Sequence, residues 1–337
     1  MSETMKAAFV NIDANGIHWK VVDKQVPTPS GGQLLVRVEA SSLNRGESFL
    51  MEDQLRDGGG KPVPDRAGGL DAAGTVVALG TDTSKDFSIG DRVTGRCAGG
   101  FAEYALLNAS EAMHVPDSLS AVEAACLPIS YVVAYDALMG DGALKPDSKV
   151  LVTGVTSGVG VACLLISKQV GAMVLGTSGS AEKLLRLKQL NLDVGICTRS
   201  PDYSQRVLDA TNGRGADFVV DNVGGAFFEE NLKSLAVEGR YITVGRMGGL
   251  VKPVLDLDGF AMKRLHLYGV SNRLRTPAMR AESKRRFVAD LMPALASRSI
   301  KPLVDRVYPL EKVALAHQEL AADTHVGKLV IQISDSH

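Results

Sequence analysis

The chain has 337 residues, of which 45% are hydrophobic and 22% are charged, and its formal net charge is −1. A chain of this length can form two domains with sizeable cores, and its composition is that of an ordinary globular protein. The near-neutral charge gives no electrostatic reason to expect a nucleic acid or an anionic membrane surface as a partner.

Four cysteines, Cys97, Cys126, Cys163 and Cys197, are widely spaced and include no Cys-x-x-Cys pair. This spacing argues against a disulfide framework and against a structural zinc site. The first residues lack the pattern of a signal peptide, and no apolar run reaches the roughly 18 residues of a membrane span. We therefore expect a reducing, cytoplasmic location and no membrane partner.

The N-terminal part of the chain consists of short apolar segments bounded by turn residues. The clearest of these predicted strands cover residues 6–10, 19–22, 34–39 and 74–79. Several alternate apolar and polar residues, as half-buried antiparallel strands do. The sequence therefore predicts an antiparallel β-rich domain, with a loop over residues 52–64.

The pattern changes near residue 120, where helical segments precede an alternation of strands and helices. Predicted strands cover residues 149–153, 173–177, 217–221, 239–245 and 265–269, and a serine begins the predicted helix 180–190. Such alternation is typical of a parallel, doubly wound α/β sheet. A helix over 279–297 and a strand over 328–333 are predicted to end the chain.

A glycine-containing turn connects the first of these strands to an apolar helix. A strand, a glycine turn and a helix in this order place backbone N–H groups at a helix N-terminus, where a pyrophosphate can bind. The predicted pyrophosphate-binding residues are Val155, Thr156, Ser157, Gly158, Val159 and Gly160.

The end of the next strand indicates which dinucleotide is bound. NAD-preferring folds place an Asp or Glu there to bind the ribose 2′-hydroxyl. This chain instead has small hydroxyl residues, then a lysine, and an arginine beyond the third strand, which suit a 2′-phosphate. The predicted residues for that group are Ser178, Gly179, Ser180, Lys183 and Arg199, and the predicted cofactor is NADP(H).

Several segments in a fixed order carry a family resemblance. They are residues 40–44, 69–74, 89–93, 100–104, 127–128, 134–138, 221–224 and 325–328, together with the glycine turn. In this order the chain resembles the medium-chain dehydrogenase/reductase superfamily. The similarity is to its zinc-free branch of quinone oxidoreductases, zeta-crystallin relatives and enoyl reductases.

The resemblance implies an architecture and further binding residues. A GroES-like β-rich domain would cover residues 1–125, completed by 275–337, and a Rossmann NADP(H)-binding domain would cover 126–274. The cofactor would lie in the cleft between them, and a homodimer would form near residues 265–269. The resemblance adds Asn222, Val244, Gly245, Val270, Asn272 and Lys328 to the cofactor-binding residues.

Two sites of departure from the zinc-dependent members affect the predicted chemistry. Those members carry a Cys where this chain has Asn44, and Gly-His-Glu where it has Gly69, Leu70 and Asp71. Cys126 lies near a third ligand position and is interpreted as a core residue. We therefore predict no metal, and hydride delivery to an activated acceptor rather than alcohol oxidation.

The proton donor of related enoyl reductases, a tyrosine, is replaced here by Phe49. The acid would then be water or Tyr135, or the reaction would need none. The alternative interpretation of Tyr135 is that it packs within a helix and takes no part in the reaction. Asn44 is the candidate for holding a substrate carbonyl, with loop capping as its alternative. The resemblance implies that Asp71 and Glu47 fix loops rather than act as catalytic carboxylates.

The predicted function is an NADPH-dependent reductase with a small-molecule substrate. It would transfer hydride to a quinone or to the activated C=C of an α,β-unsaturated carbonyl compound. The alternatives are a pathway-specific reductase of enoyl thioesters or ketones, and a cofactor-binding protein without turnover.

Overall fold

The computed structural model describes residues 3–13, 16–47, 67–83, 85–140, 144–249, 252–272 and 274–334. Phe49 and the predicted loop 52–64 lie outside these residues. The chain divides into two compact units, Met1–Val132 with Thr276–His337, and Val133–Arg275. The sequence placed these boundaries after residues 125 and 274.

The secondary structure of the two units consists of short strands and helices. The strands are β1 (Thr4–Asp13), β2 (Gly16–Gln25), β3 (Gln33–Ser42), β4 (Asp71–Leu79), β5 (Arg92–Arg96), β6 (Tyr104–Asn108), β7 (Met113–His114), β8 (Lys149–Thr153), β9 (Met173–Ser178), β10 (Val194–Cys197), β11 (Ala216–Asp221), β12 (Leu235–Thr243), β13 (His266–Gly269), β14 (Val304–Pro309) and β15 (Lys328–Gln332). The α-helices are α1 (Ala121–Ala124), α2 (Val132–Met139), α3 (Gly158–Val170), α4 (Ala181–Lys188), α5 (Ser204–Ala210), α6 (Phe228–Lys233), α7 (Leu257–Met262), α8 (Pro277–Ala296) and α9 (Val313–Ala321).

The first unit is built on a sheet with the strand order β14-β15-β3-β4-β5-β7, and β6 also pairs with β3. The C-terminal strand β15 runs antiparallel to β3, with Val330 opposite Ser42. Apolar side chains of β3 and β4 are buried against those of β5 and β6. The C-terminal segment therefore contributes a strand to the β-rich unit.

The second unit contains a parallel sheet with the strand order β10-β9-β8-β11-β12-β13. Numbered within the unit, this is the order 3-2-1-4-5-6 of a Rossmann fold, and the direction of winding reverses between β8 and β11. The central strands are almost wholly buried, which explains why β8 is a continuous apolar run. The predicted Rossmann sheet and the predicted β-rich unit are both confirmed.

One helical stretch, Ala121–Met139, has the length and hydropathy of a membrane span, which the sequence analysis did not anticipate. Two of its residues are carboxylates in ion pairs, Glu123 with Arg298 and Asp136 with Arg275. In addition, 67% of its apolar window is buried. A buried core helix meets the same criteria, so this stretch is weak evidence for a membrane span.

An aromatic cluster packs around His317 of α9. The imidazole stacks on Trp19 with 4.4 Å between ring centroids, and Phe101 meets it edge-on. Its buried Nε2 has no hydrogen-bond partner among the described residues. Burial therefore lowers the pKa of His317 from 6.5 to about 4.

This lowered pKa gives the folded protein a dependence on pH. Between these two pKa values the unfolded chain binds more protons than the folded chain, so the free energy of unfolding rises with pH through that window. The stabilisation that comes from the neutral imidazole is lost as the pH falls from 6.5 towards 4. We expect wild type to lose about 2 kcal/mol more than His317→Phe across this window.

The measurement is urea unfolding of both proteins at the two ends of the window. His114→Gln, at a solvent-exposed histidine, is the matched control and should behave like wild type. Equal losses in wild type and His317→Phe would contradict the assignment of the pH dependence to this imidazole.

Candidate functional site

The glycine turn after β8 is held by contacts that leave no room for a side chain. Gly154 has φ +62°, a left-handed conformation that favours glycine. A Cβ at Gly160 would lie 2.5 Å from the carbonyl oxygen of Gly154, and one at Gly176 would lie 2.5 Å from Cγ1 of Val155. The glycines therefore allow the turn, the start of α3 and strand β9 to pack closely together.

Ser157 caps the helix that follows this turn. Its hydroxyl accepts a hydrogen bond from the backbone N–H of Gly160 at 3.1 Å. The first turn of an α-helix presents N–H groups without intrahelical acceptors, at the positive end of the helix dipole. The predicted residues from Val155 to Gly160 are thus together at an N-terminus of the kind that binds a pyrophosphate.

The carboxyl end of β9 carries a serine in place of a carboxylate. Ser178 is buried, and its hydroxyl accepts a hydrogen bond from the backbone N–H of Ser180 at 3.3 Å. A Cβ at Gly179 would lie 2.8 Å from Cζ of Arg199, so the guanidinium lies directly against this backbone. The structure therefore brings Ser178, Gly179 and Arg199 together.

Ser180 and Lys183 lie at the start of α4. The hydroxyl of Ser180 accepts a hydrogen bond from the backbone N–H of Lys183 at 3.3 Å, which makes Ser180 the N-cap. The hydroxyl oxygen of Ser180 accepts from the helix backbone, and the hydroxyl hydrogen can still be donated to a ligand. The side chain of Lys183 is half-buried, in the first turn of α4.

A buried carboxylate that the sequence analysis did not identify organises the point where the sheet reverses. Asp221 ends β11 and is fully buried. Its carboxylate accepts hydrogen bonds from the hydroxyls of Thr153 and Tyr241 and from the backbone N–H groups of Val223 and Gly224. It therefore joins the ends of β8, β11 and β12.

The remaining predicted cofactor residues of this unit follow the ends of the same strands. The side-chain amide of Asn222 donates to the carbonyl oxygen of Thr153 at 2.9 Å. The N–H groups of Val244 and Gly245 both donate to the carbonyl oxygen of Asp221. Because adjacent parallel strands end at the same edge, these residues lie on the edge that carries the glycine turn.

Val270 and Asn272 follow β13. The N–H of Val270 donates to the carbonyl oxygen of Thr243 at 3.0 Å, so it continues the pairing with β12. The side-chain oxygen of Asn272 accepts from Arg275 at 3.5 Å. Their predicted role in cofactor binding stays a prediction.

The first unit contains its own buried polar cluster, centred on Asp71. One carboxylate oxygen accepts from the N–H of Ser42 at 2.6 Å, and the other accepts from the hydroxyl of Ser42 at 2.7 Å. The side-chain amide of Asn44 donates to the second oxygen at 2.8 Å. Asp71 thus fixes the segment after β3, which is the role that the sequence predicted for it.

Lys328 enters this cluster from β15. Its ammonium donates to the side-chain oxygen of Asn44 at 2.8 Å and to the carbonyl oxygen of Leu43 at 2.6 Å. Asn44 therefore bridges Lys328 and Asp71. The structure places Lys328 in the first unit beside Asn44, whereas the glycine turn belongs to the second unit.

Burial and charge oppose each other at the two ends of this bridge. Burial lowers the pKa of Lys328, while the charges of Asp71, Cys126 and Glu47 raise it. Burial raises the pKa of Asp71, while Lys328 and the hydrogen bonds from Ser42 and Asn44 lower it. Each buried charge is thus stabilised mainly by the other and by its hydrogen bonds.

The other catalytic or metal candidates lie in more ordinary surroundings. Tyr135 is buried within α2, at 2% exposure, as its packed-residue alternative requires. Burial raises the pKa of the Cys126 thiol to about 12. A carboxylate oxygen of Glu47 accepts from the N–H of Gly69 at 2.7 Å. Among residues that the structure describes, no three His, Cys, Asp or Glu side chains form a potential metal site.

Two family models match the chain. The alcohol dehydrogenase GroES-like domain matches residues 30–117, and the zinc-binding dehydrogenase family matches residues 193–331. The first match lies in the β-rich unit, and the second covers part of the Rossmann-type unit and the C-terminal segment.

Similar proteins cover nearly the whole chain. Human quinone oxidoreductase is 29% identical over 312 residues, which are 92% of this chain and 92% of that protein. One polypeptide of the phenolphthiocerol/phthiocerol polyketide synthase of Mycobacterium tuberculosis is 29% identical over 308 residues, 90% of this chain and 14% of that protein. A mycobacterial protein solved in complex with NADPH has a TM-score of 0.85 and 28% identity, covering 97% of this chain and 99% of that chain.

The family-model matches agree with the folds of the two units. The β-rich unit has the matched GroES-like domain, and the second unit has the strand order of a dinucleotide-binding sheet. The chain belongs to the quinone oxidoreductase-like group of the medium-chain dehydrogenase/reductase superfamily and is an oxidoreductase with a site for a nicotinamide cofactor.

Proposed function

We propose that the protein is an NADPH-dependent reductase that acts without zinc on a quinone or on the activated C=C of an α,β-unsaturated carbonyl compound. The observation that carries the proposal is the end of β9, where Ser178 replaces a carboxylate and Arg199 lies against Gly179. A cation at this position attracts a 2′-phosphate, whereas a carboxylate would repel it. The similar mycobacterial structure in complex with NADPH supports this choice.

The residues at the edge of the parallel sheet fit a dinucleotide. The turn from Val155 to Gly160 would hold the pyrophosphate, and the absence of a side chain at Gly160 lets the start of the helix pack against Gly154 and Val155. Arg199, Lys183 and the hydroxyl of Ser178 would hold the 2′-phosphate. The nicotinamide ring, when bound, supplies a hydride and its two electrons to the acceptor.

Zinc-free chemistry is supported by the hydrogen bonds that the side chains at the candidate zinc-ligand positions already make. Asn44 stands where zinc-dependent members of the superfamily carry a cysteine, and its amide bridges Lys328 and Asp71. Both carboxylate oxygens of Asp71 already accept hydrogen bonds. These side chains hydrogen-bond to one another and form a network rather than a set of metal ligands.

The relatives favour two classes of acceptor. Human quinone oxidoreductase supports a quinone, and the matched segment of the polyketide synthase supports an enoyl thioester as a second candidate. We also propose a reducing cytoplasmic location, which the four free cysteines support.

The turnover test offers NADPH with a quinone, with a short enone and with a crotonyl thioester in turn. We expect NADPH oxidation with at least one of the first two acceptors, measured as the loss of absorbance of the reduced nicotinamide. Dialysis against a zinc chelator should leave the rate unchanged, because the reaction does not need a Lewis acid.

Loss of activity on dialysis, restored by added zinc, would refute the zinc-free reaction. Turnover with the thioester alone would favour the second candidate. Tight NADPH binding without oxidation by any acceptor would indicate a cofactor-binding protein without turnover.

The choice of cofactor is tested by Arg199→Ala. We expect NADPH to bind about 10-fold more weakly, because a charge-assisted hydrogen bond to the 2′-phosphate is lost. NADH should bind to the variant as it does to wild type. Isothermal titration calorimetry with both cofactors gives the two dissociation constants.

Ser178→Asp provides the reciprocal change, since it introduces the carboxylate that NAD-preferring folds carry. It should weaken NADPH binding more than NADH binding. Arg214→Ala, at a half-exposed arginine of the same unit, is the control. Equal effects of Arg199→Ala on both cofactors would remove the argument for NADPH.

We further propose that the chain forms a homodimer through β13. This strand ends the order of the parallel sheet, and no other described strand pairs with its outer edge. Leu267 on this strand is 45% exposed. An open, apolar edge is suited to pairing with a second copy.

Leu267→Lys should therefore shift the protein from dimer to monomer in sedimentation velocity, since a lysine on an edge strand opposes pairing. Leu185→Lys is the matched control, because Leu185 is exposed on a helix of the same unit. A wild-type protein that sediments as a monomer would refute the dimer.

A further inference from the structure

The amide of Asn44 has no donor left for a substrate. Its nitrogen donates to the carbonyl oxygen of Ser42 at 3.1 Å and to Asp71 at 2.8 Å, which uses both N–H groups. Its oxygen accepts from Lys328. The predicted role of Asn44, holding a substrate carbonyl by its amide, would require one of these bonds to break.

Lys328 is the member of the cluster with a hydrogen still to donate. An ammonium has three N–H groups, and within the described part of the chain Lys328 uses two, toward Leu43 and Asn44. The side chain is only 4% exposed, so water at the surface has little access to the third. A buried ammonium with an unused N–H is costly unless a ligand accepts from it.

We propose that Lys328 is a catalytic residue, whose free N–H binds the carbonyl oxygen of the acceptor and protonates it upon reduction. Asp71 and Asn44 are its positioning residues. This inference rests on the proposed reductase function and supplies the proton donor that the sequence leaves open, since Phe49 cannot donate.

The cluster fixes both the position and the charge of the ammonium. The carbonyl oxygen of Leu43 and the amide oxygen of Asn44 hold two of its three N–H groups, which leaves one direction for the third. Asp71, Glu47 and Cys126 are the titratable groups whose charges act on Lys328. Two carboxylates near one ammonium favour its charged form, and burial keeps it acidic enough to release a proton.

The proposed step balances in electrons and protons. The acceptor would gain two electrons and one hydrogen from a bound nicotinamide cofactor, and an electron pair would move onto its carbonyl oxygen. One N–H bond of Lys328 breaks and one O–H bond forms. Lys328 is left as a neutral amine and regains its proton from water that enters when the product leaves.

The first test is Lys328→Met, which keeps the length and apolar stem of the side chain and removes the ammonium. We expect kcat to fall by about 100-fold at saturating NADPH, as for the loss of a general acid. The dissociation constant of NADPH should change less than about threefold. Wild-type kcat should fall as the pH rises and Lys328 loses its proton, and this alkaline limb should be absent from the variant.

The controls separate catalysis from folding and from cofactor binding. Lys301→Met, at an exposed lysine of the same unit, should match wild type. If Lys328→Met is unfolded because Asp71 keeps an unpaired buried charge, Lys328→Met combined with Asp71→Asn removes both charges and takes its place. Weaker NADPH binding with an unchanged kcat at saturation would make Lys328 a cofactor ligand and overturn the proposal.

A second test does not depend on turnover. The oxygen of 4-nitrophenol resembles a carbonyl oxygen that has gained negative charge, and its phenolate absorbs differently from the phenol. Wild type and Lys301→Met should lower the pKa of bound 4-nitrophenol, and Lys328→Met should not. Absence of a shift that depends on Lys328 would overturn the proposal.

The two readouts also separate this inference from the proposed function. If wild type fails to oxidise NADPH with any of the acceptors tested, the reductase function fails. The nitrophenol shift alone then decides whether Lys328 binds an oxyanion. If wild type turns over and Lys328→Met keeps its kcat and its alkaline limb, the proton donor is wrong while the function stands.

Discussion

Two opposite charges that are buried together determine the arrangement of the first unit. Lys328 and Asp71 lie on different strands, and the amide of Asn44 joins them. Neither charge is stable in a protein interior without a partner, so removal of one would leave the other at a cost of several kcal/mol. The register between β15 and β3 sets the distance that the amide has to span.

The second unit depends on one buried carboxylate in a similar way. Asp221 receives hydroxyl and backbone donors from three neighbouring strands and their loops. Because those donors converge at the reversal of strand order, the carboxylate fixes the shape of the edge where a dinucleotide would bind. Each unit thus uses a buried carboxylate that accepts several hydrogen bonds to orient a segment that follows a strand.

The sequence predicted those features that depend on neighbouring residues. The strand, glycine turn and helix around Ser157 are local, and so is the absence of a carboxylate at Ser178. The contact of Lys328 with Asn44 could not be predicted from spacing, because 284 residues separate them. Tyr241 was missed for the same reason, since only the register of β12 beside β11 brings its hydroxyl to Asp221. The packing of Arg199 on Gly179 likewise depends on the pairing of β10 with β9.

The pairing of β15 with β3 also sets an order of events during synthesis. The second unit, Val133–Arg275, is continuous in the chain, so its sheet can form while later residues are still being made. The first unit cannot acquire its full sheet until residues 328–332 have left the ribosome. Contacts between distant segments close slowly because the intervening chain loses entropy. Until then the edge of β3 that will receive β15 stays open, and a nascent chain is most exposed to mispairing there.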